Sequence, residues 1–225
     1  MKIDKTVATV AQAIDGLEDG ATVMISGFGG AGLPVVLIRA LEAAPVGNLT
    51  LILNSLRFVE TYAPRLFGEK RVKKAISSAA RSRGKGSSDY EKQLQEGTLE
   101  LEMVPQGTFS ERVRAGGAGI PAFYTPTGVG TKLTEGKEIR EFGGRPCALE
   151  TALTADFAFM RAETADRWGN VIFRGTQSNF GPAMAMASRI AVVEVDYISD
   201  EPLTPNNVDI PGIFTQRIIA VPDER

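Results

Sequence analysis

Apolar residues along the chain fall into short β-branched runs, each followed by a glycine- or proline-containing turn and then by a stretch with apolar positions at helical spacing. Thr22-Val23-Met24-Ile25-Ser26 is the first run, and beyond the glycines that follow it Pro34 opens an apolar segment reaching residue 44. The pattern predicts a strand, a tight loop and a helix with proline in its first turn. A second strand is expected over 49–53 and a helix over 58–67; strand 72–77, helix 88–96 and strand 99–104 continue the alternation. Thr108 and Glu111 have the spacing of a capping box, with Gly116 placed to end the helix they begin. Strands alternating with helices specify an α/β fold: an open, mainly parallel sheet with helices on both faces.

From Pro121 to Thr131 glycine and proline are dense enough to predict a long ordered loop or crossing segment without regular structure. Strands over 156–162 and 171–173 flank the turn Asp166-Arg167-Trp168-Gly169-Asn170. A helix over 182–188, a strand over 190–195 and a final strand over 217–221 complete the pattern. No repeat and no linker divides it, so residues 1–225 are expected to form a single domain.

Composition narrows the chemistry. The 225 residues contain no histidine, which removes Ser-His and Cys-His nucleophiles and histidine-ligated metals. A net charge of -2 argues against nucleic acid as a partner. A polar start and the lack of an apolar run of about 20 residues argue against a membrane or secretory route and for the cytoplasm. The one cysteine, Cys147, falls in an expected strand and reads as buried core.

Gly27-Phe28-Gly29-Gly30-Ala31-Gly32 matches G-x-G-x-x-G between a strand and a helix. A dinucleotide site would place Asp or Glu at the end of the second strand, where this chain has Asn54. The loop is therefore either a plain turn or an approach for another anionic or acyl ligand, with backbone N–H groups pointing into a cleft. Asn54 and Gln106 each follow an expected strand, as the glycine loop does, and so belong to one sheet edge. As uncharged amides they either donate to a carbonyl or carboxylate oxygen or tie down their own turns. Glu111 reads as structural.

Several stretches are recognisable. Asp19-Gly20, Gly27-Phe28-Gly29-x-x-Gly32-x-Pro34, Pro105-Gln106-Gly107-Thr108 and the run from Glu111 to Tyr124 resemble the A subunit, or amino-terminal half, of family I CoA-transferases acting on 3-oxoacids and 3-oxoadipate. Gly128-x-Gly130-Thr131, Trp168-Gly169-Asn170, Asn179-Phe180 and Pro211-Gly212-Ile213-Phe214 extend the likeness over about residues 5–221. The resemblance implies a CoA-transferase-like fold and ping-pong transfer of CoA, by default from succinyl-CoA, through a glutamyl-CoA thioester. It places that glutamate on a partner, the B subunit. The substrates it implies are coenzyme A thioesters and carboxylic acids, with no tightly bound cofactor and no metal. It also implies an oxyanion role for Asn54, contact of Gln106 with the reacting group, and a cleft lined by Gly27, Phe28, Gly29, Gly30 and Gly32 and by Gly116, Gly117, Ala118 and Gly119.

The chain departs from that pattern at Ser55-Leu56-Arg57, at Ala79 and in the basic run Arg81-Ser82-Arg83-Gly84-Lys85. That run reads either as a solvated loop or as a contact for an anionic ligand, in which Arg81, Arg83 or Lys85 meets a substrate carboxylate or a CoA phosphate. Two other classes stand beside this reading, an NAD-binding oxidoreductase and a non-catalytic small-molecule-binding regulator on the same fold.

Overall fold

In the computed structural model, residues 3–81 and 87–221 are described. The first half runs α1 (Val10–Ala13), β1 (Thr22–Ile25), α2 (Val35–Ala43), β2 (Leu49–Ser55), α3 (Leu56–Tyr62), α4 (Arg65–Gly68), β3 (Val72–Ala79), α5 (Asp89–Glu96), β4 (Glu100–Met103) and α6 (Gln106–Gly117). The second half runs β5 (Ala122–Thr125), β6 (Ile139–Phe142), β7 (Arg145–Thr151), β8 (Ala155–Asp166), β9 (Val171–Ile172), α7 (Gly181–Met186), β10 (Ser188–Ser199) and β11 (Arg217–Ala220).

The main sheet is ordered β11-β10-β8-β1-β2-β3-β4 and all these neighbours pair in parallel, with β9 antiparallel on β8. Val23, Ile25, Leu51, Leu53, Phe157 and Phe159 build one core with α1 to α5. Met24, Ile52, Ala158, Met160 and Val193 face the other way, onto Phe109 and Val113 of α6 and Met184 of α7. Alternate residues of one strand thus serve two cores, which is why the strands read as unbroken apolar runs. The expected α/β class, open parallel sheet and two helical layers are all present.

Four expectations need correction. The helix foreseen over 58–67 is two helices, α3 and α4, because Pro64 forces Ala63 out of the helical region (φ -146°, ψ 59°). Thr108 does not cap α6. The helix starts earlier, at Gln106 behind Pro105, so Thr108 lies inside its first turn with its hydroxyl buried and unpartnered among the described residues, while Glu111 pairs with Arg114 at 2.8 Å. Nor does Gly116 end it; the helix continues to Gly117, and Gly119 takes the left-handed conformation (φ 70°) beyond it. Finally, the segment 121–131 contains a strand: β5 pairs antiparallel with β7, and β6 with the other edge of β7, as a separate three-stranded sheet.

The Arg112 side chain ties that small sheet to α6. Arg112, buried, donates Nε to the Thr151 carbonyl at 2.7 Å, pairs through Nη1 with Glu102 of β4, and lies 3.9 Å from the buried Glu150 of β7, which Lys137 reaches at 2.6 Å. Burial pushes the Glu102 carboxyl up, but Arg112 and Lys74 outweigh it and hold it below the usual carboxylate range.

Candidate functional site

After β1 the chain grows outward through β2, β3 and β4, then returns through β8 to the other side of β1. The two strand neighbours of β1 therefore belong to opposite halves of the winding, which puts the loop after β1 at a topological switch point. The glycine loop 27–32 stands there. Phe28 and Ala31 exchange two backbone hydrogen bonds of 3.0 Å around Gly29 and Gly30, whose φ values of 61° and 100° only glycine adopts readily.

Asn179 fastens this loop from outside. Its Oδ1 accepts from Gly27 N–H at 3.0 Å and its Nδ2 donates to the Ala31 carbonyl at 3.1 Å, while a side-chain carbon on Gly32 would lie 2.4 Å from the Gln177 carbonyl oxygen. The loop's amides are thus only partly available. Gly27, Phe28 and Ala31 donate within the protein, and the exposed tip leaves the N–H groups of Gly29 and Gly30 without a protein acceptor among the described residues. Phe28, 51% exposed at the tip, leans edge-on against Phe180, which in turn meets Phe109 of α6.

Asn54, near the end of β2, and Gln106, the first residue of α6, are brought into direct contact. Asn54 Nδ2 donates to Gln106 Oε1 at 2.7 Å. Between them stands Ser78, near the end of β3, whose Oγ accepts from Asn54 Nδ2 at 2.7 Å and donates to Gln106 Oε1 at 2.8 Å. Asn54 is 7% exposed, whereas Gln106 is open to solvent. A crevice too tight to admit a water molecule, lined by Ile25, Ser26, Gly27, Leu33, Leu53, Asn54, Ser55 and Phe58, joins this amide cluster to the base of the glycine loop. Among the described residues no Asp or Glu bonds to Asn54, Ser78 or Gln106. The arrangement offers N–H donors to an oxygen carrying negative charge and brings no nucleophile of its own.

The second glycine group does not join it. Gly116, Gly117, Ala118 and Gly119 lie at the opposite end of α6 from Gln106, about 16 Å away along the helix axis. Gly116 is pressed against the Leu153 carbonyl, where a side-chain carbon would lie at 1.9 Å, and Gly117 against Met186 at 2.7 Å. Their role in the fold is close packing. Arg81 is exposed just beyond β3, on the cluster's edge of the sheet; Arg83 and Lys85 lie outside the described residues.

Two contributors went unread in the sequence. Ser78 was open to the same strand-end reasoning that singled out Asn54 and Gln106. Glu194 was not: it is a residue of β10 whose buried carboxylate accepts from Leu37 N–H at 2.9 Å and faces the amides of Val35 and Val36, capping the helix that leaves the glycine loop. Pro34, at that N-terminus, offers no side-chain acceptor. Burial raises the Glu194 carboxyl to about 7, against the opposing pull of those amides and of Arg161.

A family model described as coenzyme A transferase matches residues 7–221. The chain is 44% identical over 220 residues to the A subunit of the 3-oxoadipate CoA-transferase of Pseudomonas putida, covering 97% of this chain and 94% of the other. It is also 44% identical to the A subunit of the succinyl-CoA:3-ketoacid coenzyme A transferase of Xanthomonas campestris pv. campestris (strain B100), over 98% of this chain and 91% of the relative. Among solved structures, an acyl-CoA transferase of Escherichia coli O157:H7 superposes with a TM-score of 0.81 at 22% identity, covering 100% of this chain and 48% of that one, a likeness of fold. The dinucleotide alternative finds no support in these relatives.

Proposed function

The chain belongs to the coenzyme A transferase family and is the A subunit of a CoA-transferase, and from that premise we propose that it works in the cytoplasm with a B subunit, moving CoA from succinyl-CoA to a 3-oxo acid such as 3-oxoadipate or acetoacetate. Residues 1–225 act as one unit in this reading. A glutamate of the partner takes the CoA as a thioester while the donor acid leaves as its carboxylate; the acceptor carboxylate then takes the CoA and restores the glutamate. Each exchange at a carbonyl passes through a tetrahedral species whose oxygen is negative, and preorganised N–H donors lower its energy.

The observation that carries this reading is the amide cluster of Asn54, Ser78 and Gln106 beside the glycine loop, built without a carboxylate. That is half of a covalent site: donors without the attacking group. The relatives at 44% identity, covered to 94% and 91% of their own length, are A subunits, which supports a B subunit as the source of the attacking group. Arg81, Arg83 and Lys85 are proposed to meet a substrate carboxylate or a CoA phosphate, and replacing all three with alanine is expected to raise the Michaelis constant of at least one substrate.

Purification with and without the B subunit tests the central claim. The assembled enzyme is expected to transfer CoA and the isolated chain to be inert, with borohydride reduction in the presence of acyl-CoA marking a glutamate of the partner. Transfer by the isolated chain, with an adduct on one of its own carboxylates, would refute it.

A further inference from the structure

The bonds within the amide cluster divide its members into one donor that faces the substrate and two residues that aim it. A carboxamide nitrogen has two protons. Asn54 places both within the protein, on Ser78 Oγ at 2.7 Å and on Gln106 Oε1 at 2.7 Å. The Ser78 hydroxyl has one proton. It lies 2.8 Å from Gln106 Oε1 and 3.1 Å from the Asn54 carbonyl, and the shorter bond assigns the Ser78 proton to Gln106. Gln106 Oε1 therefore accepts two bonds. Its Nε2 has no protein acceptor among the described residues and belongs to a side chain open to solvent.

We propose that Ser78 is a positioning residue which, with Asn54, fixes the Gln106 carboxamide so that Gln106 Nε2 alone is the side-chain donor presented to the reacting oxygen. The inference rests on the transferase reading and sharpens it, because it separates Asn54 from direct contact in the resting site. Polarisation adds to orientation: an oxygen that accepts two hydrogen bonds makes the N–H groups of the same amide stronger donors. The Ser78 position is held independently of any ligand, since β3 pairs with β2 from Leu53↔Ser77 to Ser55↔Ala79, on either side of Ser78.

The test uses the assembled two-subunit enzyme. Ser78→Ala is expected to lower kcat about tenfold, the factor that follows from losing one neutral hydrogen bond of about 1.4 kcal/mol in the transition state, with little change in KM for the acceptor acid. Ser78→Thr, which keeps the hydroxyl, restores kcat. A purely structural serine would instead lower the melting temperature and disturb assembly without this split.

Side-chain amide exchange supplies a readout that needs no turnover. With this chain labelled on Asn and Gln nitrogens, the Gln106 amide protons are expected to exchange quickly with water and those of Asn54 slowly, and Ser78→Ala to speed up Asn54. Protected Gln106 with fast Asn54 would mean that the ring of hydrogen bonds runs the other way and would overturn the assignment, as would an unchanged kcat in a folded Ser78→Ala enzyme. If the wild-type complex fails to transfer CoA, it is the transferase reading that falls, and the exchange pattern still decides the donor.

Discussion

Glu194 shows how one side chain can carry a helix. Its carboxylate occupies the amino end of α2 in place of a cap that Pro34 is unable to provide, and burial raises it to about 7 from an ordinary 4.5. Between those two values the folded chain keeps a proton that the unfolded chain has lost, so the folded state binds more protons and stability falls as pH rises across the window. Above about 7 both states are ionised and the contribution levels off. The full fall is on the order of 3 kcal/mol. Glu194→Gln does not titrate, so denaturant midpoints measured from pH 5 to 8 are expected to converge on or drop below the variant's as pH rises. Parallel curves would mean that the carboxyl is not protonated in the folded protein.

Elements depend on such tertiary ties to different degrees. α5 caps itself: Ser88 accepts from Glu91 N–H at 3.3 Å and Glu91 accepts from Ser88 N–H at 2.9 Å, a box legible in sequence. The β5–β7 sheet does not support itself in this way. It presents exposed Ile139 and Phe142 on β6, and Arg112 joins its β7 to α6 and to Glu102 of β4. Arg112→Ala leaves Glu150 buried, with only Lys137 as ion-pair partner among the described residues, and is expected to cost about 3–5 kcal/mol. Urea midpoints give that number, and limited proteolysis between 126 and 146 is expected to accelerate with it. Unchanged proteolysis would show that the small sheet is held by something else. The same contrast explains the misread helix starts. Thr108 and Glu111 have the right letters three apart, as do Ser88 and Glu91, but Pro105 fixes a helical start at Gln106, two residues upstream of Thr108, and the burial of Phe109 keeps it there.

At the scale of the molecule the two cores meet on β1. Its strand is flanked by β2 and β8 and covered on both faces, with Val23 and Met24 fully buried, whereas all four residues of β6 are exposed. Native-state amide exchange is therefore expected to be slowest at 23–25 and 157–159, where it reports global unfolding, and fastest in 139–142. Equal protection in the two regions would contradict the view of the small sheet as an attachment to a parallel core.

The alternation of β-branched runs with helical segments was sufficient to predict the α/β class, the parallel sheet and both helical layers, because a buried strand must be apolar at every position and a helix only on one face. It also brought the glycine loop, Asn54 and Gln106 to one edge, since each follows a strand. Local chemistry settles these matters within a few residues. The order of the strands, the return of β8 to the side of β1, the pairing of β5 with β7 and the carboxylate of Glu194 at α2 join positions far apart in the chain. So does the hydrogen-bonded ring that turns three strand-end residues into one outward donor. Their energies come from contacts that exist only once the sheet has closed up, and no local pattern encodes them.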